Sequence, residues 1–182
     1  MNSPASTGFY KPGMNTIETD RLIITEFTIT DAAFILAITN TDGWLQFIGD
    51  RGIKDIPAAE NYLINGPIAS YAKFNHGLCR VSLKSSGEPI GMCGIIKRDT
   101  LENKDIGFAF LPQYTGNGYA LEAASAMLAA AKKQFAQERF AAITLPENER
   151  SINLLTKLGL VFEKIIVSPG KDEELMLFLT QE

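Results

Sequence analysis

The stretch Gln113-Tyr114-Thr115-Gly116-Asn117-Gly118-Tyr119-Ala120 carries the residue types and spacing best suited to chemistry in this chain. Strand-like residues, Ile106 to Phe110, precede it, and a segment of helical periodicity follows. The first turn of a helix presents unpaired backbone N–H groups and a partial positive charge. Glycines remove side chains that would keep an anion from those groups. The stretch therefore suits a phosphate or pyrophosphate. Taken alone, Gly-x-Gly before a helix is equally a plain strand-to-helix turn. Two common phosphate loops are excluded. A Walker loop needs Gly-Lys-Ser/Thr, and Gly118 is followed by Tyr119. The dinucleotide fingerprint needs a third glycine where Leu121 stands.

Few other residues offer metal or nucleophile chemistry. Cys79 and Cys93 form no CxxC pair, and His76 is the one histidine, so no zinc cluster of familiar spacing can be assembled. No metal is expected. The cysteines read as reduced, small apolar strand residues, and His76 as a turn residue before a strand. The net charge of −4 argues against a broad basic surface for nucleic acid. It fits ordinary solubility, and only weakly a cationic substrate. No segment approaches the roughly 18 apolar residues of a membrane span, and Met1 to Gly13 lacks the apolar stretch of a secretory signal. The expectation is a cytoplasmic protein without membrane or nucleic-acid partners. Residues 1–15 would form a flexible extension and 16–182 one domain.

The elements that must position the loop follow from periodicity. Arg21 to Phe27 reads as a first strand. Thr30-Asp31 offers a helix start for Ala33, Phe34, Ala37 and Ile38, and Trp44 to Ile48 one short helical turn. A helix from Pro57 to Phe74 must be interrupted or kinked at Gly66-Pro67. Leu78–Leu83 and Pro89–Ile96 form a hairpin, and Lys104 to Phe110 a further strand. The helix Gly118–Phe135 has apolar residues at three- and four-residue steps. A strand at Phe140–Leu145, a helix at Glu149–Leu158 stopped by Gly159, and strands at Leu160–Val167 and Leu175–Thr180 complete the chain, with Ser168-Pro169-Gly170 opening the last turn. This is a mixed α/β layout around one sheet, with helices on both faces.

Three motifs then agree with one another. Gln113-x-x-Gly116-x-Gly118-Tyr119-Ala120 resembles the acetyl-CoA signature Q/R-x-x-G-x-G/A of the GNAT superfamily. Glu18-Thr19-Asp20-Arg21-Leu22-x-Ile24 and Asn148-Glu149-Arg150-Ser151 through Gly159-Leu160 resemble segments of the branch that includes ribosomal-protein-alanine N-acetyltransferases. Leu160 departs from that pattern, where phenylalanine is usual. The resemblance implies a splayed mixed sheet of about seven strands, with acetyl-CoA between the strands at 104–110 and 140–145. It places the pantetheine arm on the backbone of Phe108, Ala109 and Phe110. It places the pyrophosphate on the N–H groups of Gly116, Asn117, Gly118, Tyr119 and Ala120, with Gln113 alongside and Asn148 and Ser151 toward the thiol.

The implied activity is transfer of the acetyl group to a primary amine by direct attack in a ternary complex. The amine must first lose a proton, its pKa being about 8 to 10. In an extended strand Asp105, Gly107 and Ala109 share one face, which reads as open, and Ile106, Phe108 and Phe110 share the bulky other. Asp105 is accordingly a candidate base, or else a solvated edge carboxylate. The oxyanion would be met by a backbone N–H near Ala109–Phe110. Many superfamily members protonate the thiolate with a tyrosine, but the matching position here is Leu155. Ser151 is the alternative partner for the sulfur, or else a helix-start residue. Tyr114 and Tyr119 are placed at the phosphate end. Trp44, Phe47 and Asp50, with Val167 to Asp172, could line an acceptor pocket in which Asp50 contacts the amine; the first two could equally be core. The acceptor would be a peptide N-terminus or a small molecule, and the protein a monomer or homodimer. A non-catalytic acyl-CoA-binding module is the alternative.

Overall fold

The computed structural model describes residues 16–135, 139–168 and 172–181. The expected extension over residues 1–15, and most of the turn after Ser168, lie outside the described residues.

Eight strands form one sheet, in the order β1-β2-β3-β4-β5-β6-β8-β7. They are β1 (Ile17–Glu18), β2 (Leu22–Glu26), β3 (Leu78–Leu83), β4 (Pro89–Ile96), β5 (Asp105–Phe110), β6 (Ala141–Thr144), β7 (Leu160–Ser168) and β8 (Glu173–Thr180). The expected seven become eight because the two-residue β1 turns back on β2, pairing Ile17 with Ile24. So short a strand has no alternation for periodicity to reveal.

Every neighbouring pair is antiparallel except β5 and β6, which are parallel and meet only at Asp105 and Ala141. Beyond that pair the two strands diverge, opening a wedge in the middle of the sheet. Phe110 packs its ring across Gly91 on β4; a Cβ there would lie 2.4 Å from the ring, so any larger residue would force the ring to move.

Helices cover both faces. On one side lie α5 (Tyr119–Gln134) and α6 (Glu149–Lys157). The buried stripe Ala123, Ala124, Met127, Leu128 and Ala131 sets α5 against Ile24, Val81, Ile95, Ile106 and Phe140. Small alanines at this contact let the helix approach the sheet closely, and close-packing makes the burial effective. On the other side lie α1 (Ala32–Thr39), α2 (Asp42–Phe47), α3 (Ile56–Leu63) and α4 (Ala69–Phe74). They enclose Phe27, Phe34, Ile35, Ile38, Trp44 and Leu63 over Met92.

Between α3 and α4, residues Ile64–Ile68 form a π-helical turn around Pro67. Proline cannot donate the bond an α-turn requires, and the wider turn absorbs the defect. The expected interruption at Gly66-Pro67 is therefore a bulge within a continuous helical run. Tyr71 on α4 ties that run to the sheet. Its hydroxyl accepts from the Phe27 amide (3.0 Å) and donates to the Leu78 carbonyl.

Cys79 and Cys93 are directly opposed on β3 and β4, both buried as free thiols. Burial pushes the Cys79 thiol up to about 12 and raises that of Cys93 as well. His76 is in the loop before β3, as expected, but it is buried. Its Nδ1 lies 2.8 Å from the Ile95 carbonyl and its ring packs between Phe74 and Phe135.

Candidate active site

The loop between β5 and α5 is the stretch expected to hold a pyrophosphate. A 3-10 turn, Pro112–Tyr114, carries the chain out of the strand. Gly116 and Gly118 then both adopt φ of 81°, which a residue with a side chain rarely tolerates. A Cβ on Gly116 would meet nothing within 4 Å, so the loop is open on that side. The backbone N–H groups from Gly116 to Leu121 have no acceptor among the described residues. These donors, at the positive end of the 16-residue α5, are what a pyrophosphate needs.

Arg21 reaches this loop from the turn between β1 and β2. Its Nη1 donates to the Asn117 carbonyl (3.0 Å), its Nε to Glu122 (2.7 Å), and its guanidinium covers the Tyr119 ring at 4.4 Å. Glu122 also accepts from the Thr19 hydroxyl (2.6 Å) and the Arg21 amide (2.9 Å). Burial raises the Glu122 pKa, but those bonds outweigh it and leave the carboxylate below its ordinary value. The motif containing Arg21 was visible in the sequence; its contact with the loop was not, because the partners are about a hundred residues apart.

The wedge adjoins this loop. Leu111 donates its amide to Ile90 on β4, and Lys104 accepts from Ala141 on β6 (2.9 and 2.8 Å). Strand alternation between these two points turns the main-chain groups of Phe108 and Phe110 toward the wedge, and those of Gly107 and Ala109 toward β4. Of the three residues expected to pair with a pantetheine arm, Phe108 and Phe110 thus have polar groups facing the opening. Ala109 has its polar groups on β4, while its side chain packs among the apolar residues under α1 and α3.

Asp105 sits at the apex, where β5 and β6 meet. It is 1% exposed, and both carboxylate oxygens accept from Arg98 Nε (3.1 and 2.9 Å). Burial raises its pKa above the ordinary 3.8, against the lowering effect of Arg98. The reading of Asp105 as a solvated edge carboxylate is thus excluded. Its strand face is also not open: Gly107 is covered by Ile96, whose Cδ1 lies 2.8 Å from where a Cβ would stand. Arg98 carried no periodic or motif signal by which the sequence could reveal it.

On the far side of the wedge, Asn148 caps α6 by accepting the Ser151 amide at 3.1 Å. The cap is therefore Asn148, and the Ser151 hydroxyl has no hydrogen-bond partner among the described residues. Leu155, on the next turn, is 1% exposed in the core and contributes no polar group. Tyr114 and Tyr119 pack edge to face beside the phosphate loop, at the other end of β5 from Asp105. Gln113 is exposed next to the loop. Trp44 is core, and Asp50 pairs with Lys54 (3.2 Å) and the Gly52 amide (2.8 Å) on the surface. No group of metal ligands occurs among the described residues, and no helix among them is long and apolar enough to cross a membrane.

The sheet thus parts between two parallel strands beside a glycine-lined helix start. The model of the acetyltransferase (GNAT) domain matches residues 21–161, and the chain belongs to that family of acetyl-CoA-dependent acetyltransferases. Its relatives include the uncharacterized N-acetyltransferase YoaA of Bacillus subtilis (strain 168), 26% identical over 151 residues, which cover 82% of this chain and 85% of that protein. The uncharacterized protein YkkB of the same organism is 37% identical over 86 residues, 46% of this chain; the match spans about half of YkkB, 49%. Among solved structures, the ribosomal-protein-S5-alanine acetyltransferase of Vibrio fischeri superposes with a TM-score of 0.75 at 19% identity, over 92% of this chain and 96% of that one. At that identity the likeness concerns the fold.

Proposed function

We propose that this protein transfers the acetyl group of acetyl-CoA to a primary amine, by direct attack of the amine in a ternary complex. The observation that carries the reading is the continuity of the β5–β6 wedge with the free N–H groups of Gly116 to Leu121. A long, flexible ligand with a pyrophosphate at one end and an extended amide-bearing arm at the other fits that outline. Acetyl-CoA, when bound, supplies the acetyl group as an activated thioester.

This chain's residues divide the remaining work. The N–H groups of Gly116 to Ala120 hold the pyrophosphate, with Gln113 alongside. The main-chain groups of Phe108 and Phe110 hold the arm, and the Phe110 N–H is positioned to offset negative charge on the acyl oxygen. Asp105, directly or through a water, takes the proton the amine must lose; its raised pKa makes it a better base than an ordinary aspartate. The unpartnered Ser151 hydroxyl donates toward the departing sulfur, where a thiol pKa near about 8.5 calls for only modest help. The resemblance of Asn148 to Leu160 to the ribosomal-protein branch favours an amine at a protein N-terminus, with a small-molecule amine as the other class of acceptor.

Thermal unfolding with and without acetyl-CoA, with ATP and NAD as controls, tests the cofactor. Selective stabilisation by acetyl-CoA, of the size mass action gives for ligand well above its Kd, is expected. No shift refutes the reading. Stabilisation without CoA release on any amine would instead identify an acyl-CoA-binding module.

A further inference from the structure

The turn Thr19-Asp20-Arg21-Leu22 between β1 and β2 has no part in the acetyl transfer described above, yet Arg21 reaches from it to the glycine loop before α5. The turn itself is firmly held. The Leu22 amide donates to the Thr19 hydroxyl (2.9 Å), which donates in turn to Glu122 on α5 (2.6 Å). Lys84, just after β3, donates its amide to the Arg21 carbonyl (2.8 Å) and its Nζ to the Thr19 carbonyl (2.9 Å). The Arg21 amide donates to Glu122 (2.9 Å). The backbone from which the Arg21 side chain springs is therefore fixed to both the sheet and the helix.

The guanidinium then grips the loop on either side of Gly118. Nη1 donates to the Asn117 carbonyl (3.0 Å), and the guanidinium lies over the Tyr119 ring at 4.4 Å. Nη2 comes within 3.4 Å of where a Cβ on Gly118 would stand. A trans peptide is planar, and its carbonyl and N–H point in opposite directions. Holding the Asn117 carbonyl toward Arg21 therefore turns the Gly118 N–H away from Arg21, where it has no acceptor among the described residues. Little else determines that orientation. Glycine populates both signs of φ, and Asn117 stands between Gly116 and Gly118, both at φ 81°. The Asn117 side chain donates to the Thr115 carbonyl (3.3 Å) and leaves the Asn117–Gly118 peptide alone. Glu122 pairs with the Arg21 charge at 2.7 Å, so what Arg21 gives the loop is direction rather than net charge.

We propose that Arg21 is a positioning residue for acyl-CoA: through the Asn117 carbonyl it aims the Gly118 N–H at the pyrophosphate, and so orders the loop before the ligand arrives. This rests on the acetyl-transfer reading and extends its binding site to a residue about a hundred positions away in the chain. A loop already ordered spares the ligand the cost of ordering it. The role requires an arginine. A lysine in its place can pair with Glu122, but it has one nitrogen and no planar fork to meet Glu122, Asn117 and Tyr119 together.

Arg21→Lys is the test, because it keeps the charge and the main-chain bonds to Glu122 and Lys84. CoA binding is measured by titration calorimetry at one ionic strength, and the amide signal of Gly118 is followed by NMR in isotope-labelled protein. Arg21→Lys should melt close to the wild type and bind CoA about tenfold more weakly, the equivalent of one charge-assisted hydrogen bond. Arg21→Gln should bind no better. In the ligand-free wild type Gly118 should give one sharp signal that moves when CoA is added. In Arg21→Lys that signal should broaden or split, while those of Met127 and Leu128 further along α5 stay in place. Wild-type affinity in Arg21→Lys, a Gly118 signal untouched by the substitution, or changes spread along α5 would overturn the proposal and leave acetyl transfer standing. Affinity lost only in Arg21→Gln overturns it too, since charge rather than direction would then be what counts. Failure of the wild type to bind CoA overturns acetyl transfer, and this proposal with it.

Discussion

Arg21 and Glu122 are 101 residues apart in the chain, and their side chains meet at 2.7 Å. The pair joins the β1–β2 turn to the first turn of α5, and Arg21 reaches on to the Asn117 carbonyl. One ion pair thus fastens the edge of the sheet to the loop proposed to bind the pyrophosphate. Exposed ion pairs contribute little by themselves. This one is reinforced by the Thr19 hydroxyl and the Arg21 amide on the same carboxylate.

Glu122→Ala should therefore cost about 1.5–3 kcal/mol at neutral pH, the range for hydrogen bonds to a charged group. The Glu122 pKa is lowered in the folded state, so its contribution is complete above the unfolded value near 4.5 and is lost as pH falls through the lower folded value. Melting curves should show the wild type and the variant far apart at pH 7 and converging under acid. A gap that persists in strong acid would mean that the carboxylate charge is not what stabilises the turn.

Gly118→Ala forces a side chain into a left-handed conformation at φ 81°. The strain is about 1–2 kcal/mol, a loss of roughly 2–8 °C in Tm for a chain of this size. Stabilisation by acetyl-CoA should fall as well, because the adjoining N–H groups lose their alignment. A variant that melts lower yet binds acetyl-CoA like the wild type would place the phosphates elsewhere.

Ser151 and Asn148 should separate cleanly. Asn148→Ala removes the α6 cap and should lower stability by about 1 kcal/mol. Ser151→Ala should leave Tm unchanged, since its hydroxyl supports nothing in the fold, while slowing kcat with acetyl-CoA binding intact. Unchanged turnover in the serine variant would remove Ser151 from the chemistry.

Asp105→Asn should slow turnover about a hundredfold or more, the usual contribution of a general base. In the wild type kcat/KM should rise with pH through a value above the ordinary 3.8, since protonation removes the base and burial raises its pKa. The variant should lack that limb. A variant whose rate and pH profile match the wild type would confine Asp105 to pairing with Arg98.

Much of the fold was legible in local pattern. The bounds of β3 and β4 follow from β-branched runs broken by Lys84-Ser85-Ser86-Gly87, and α5 from its alanine and leucine steps. The stop at Gly159, with φ 81°, follows from the one residue type that adopts that angle freely. The glycine turn before α5 was equally plain, because positive-φ glycines before a helix are a local requirement written in consecutive residues, while local pattern by itself left it equally a plain strand-to-helix turn. The two-residue β1 and the π-turn at Pro67 were not, since each is a small deviation that only packing against a neighbour defines.

The acceptor side depended on tertiary structure. Asp105 read equally as a base or as a solvated edge carboxylate until Arg98 and the apex of the wedge enclosed it and removed the second reading. Asp50, a candidate contact for an amine, stands in an exposed pair with Lys54. By itself, then, the sequence determined most of the strands and helices and the glycine turn before α5, because backbone conformation is dictated largely by neighbouring residues. Only the tertiary structure decided which charges are spent and which are free, because an ion pair depends on distance in space, and that distance is set by how the helices lie on the sheet.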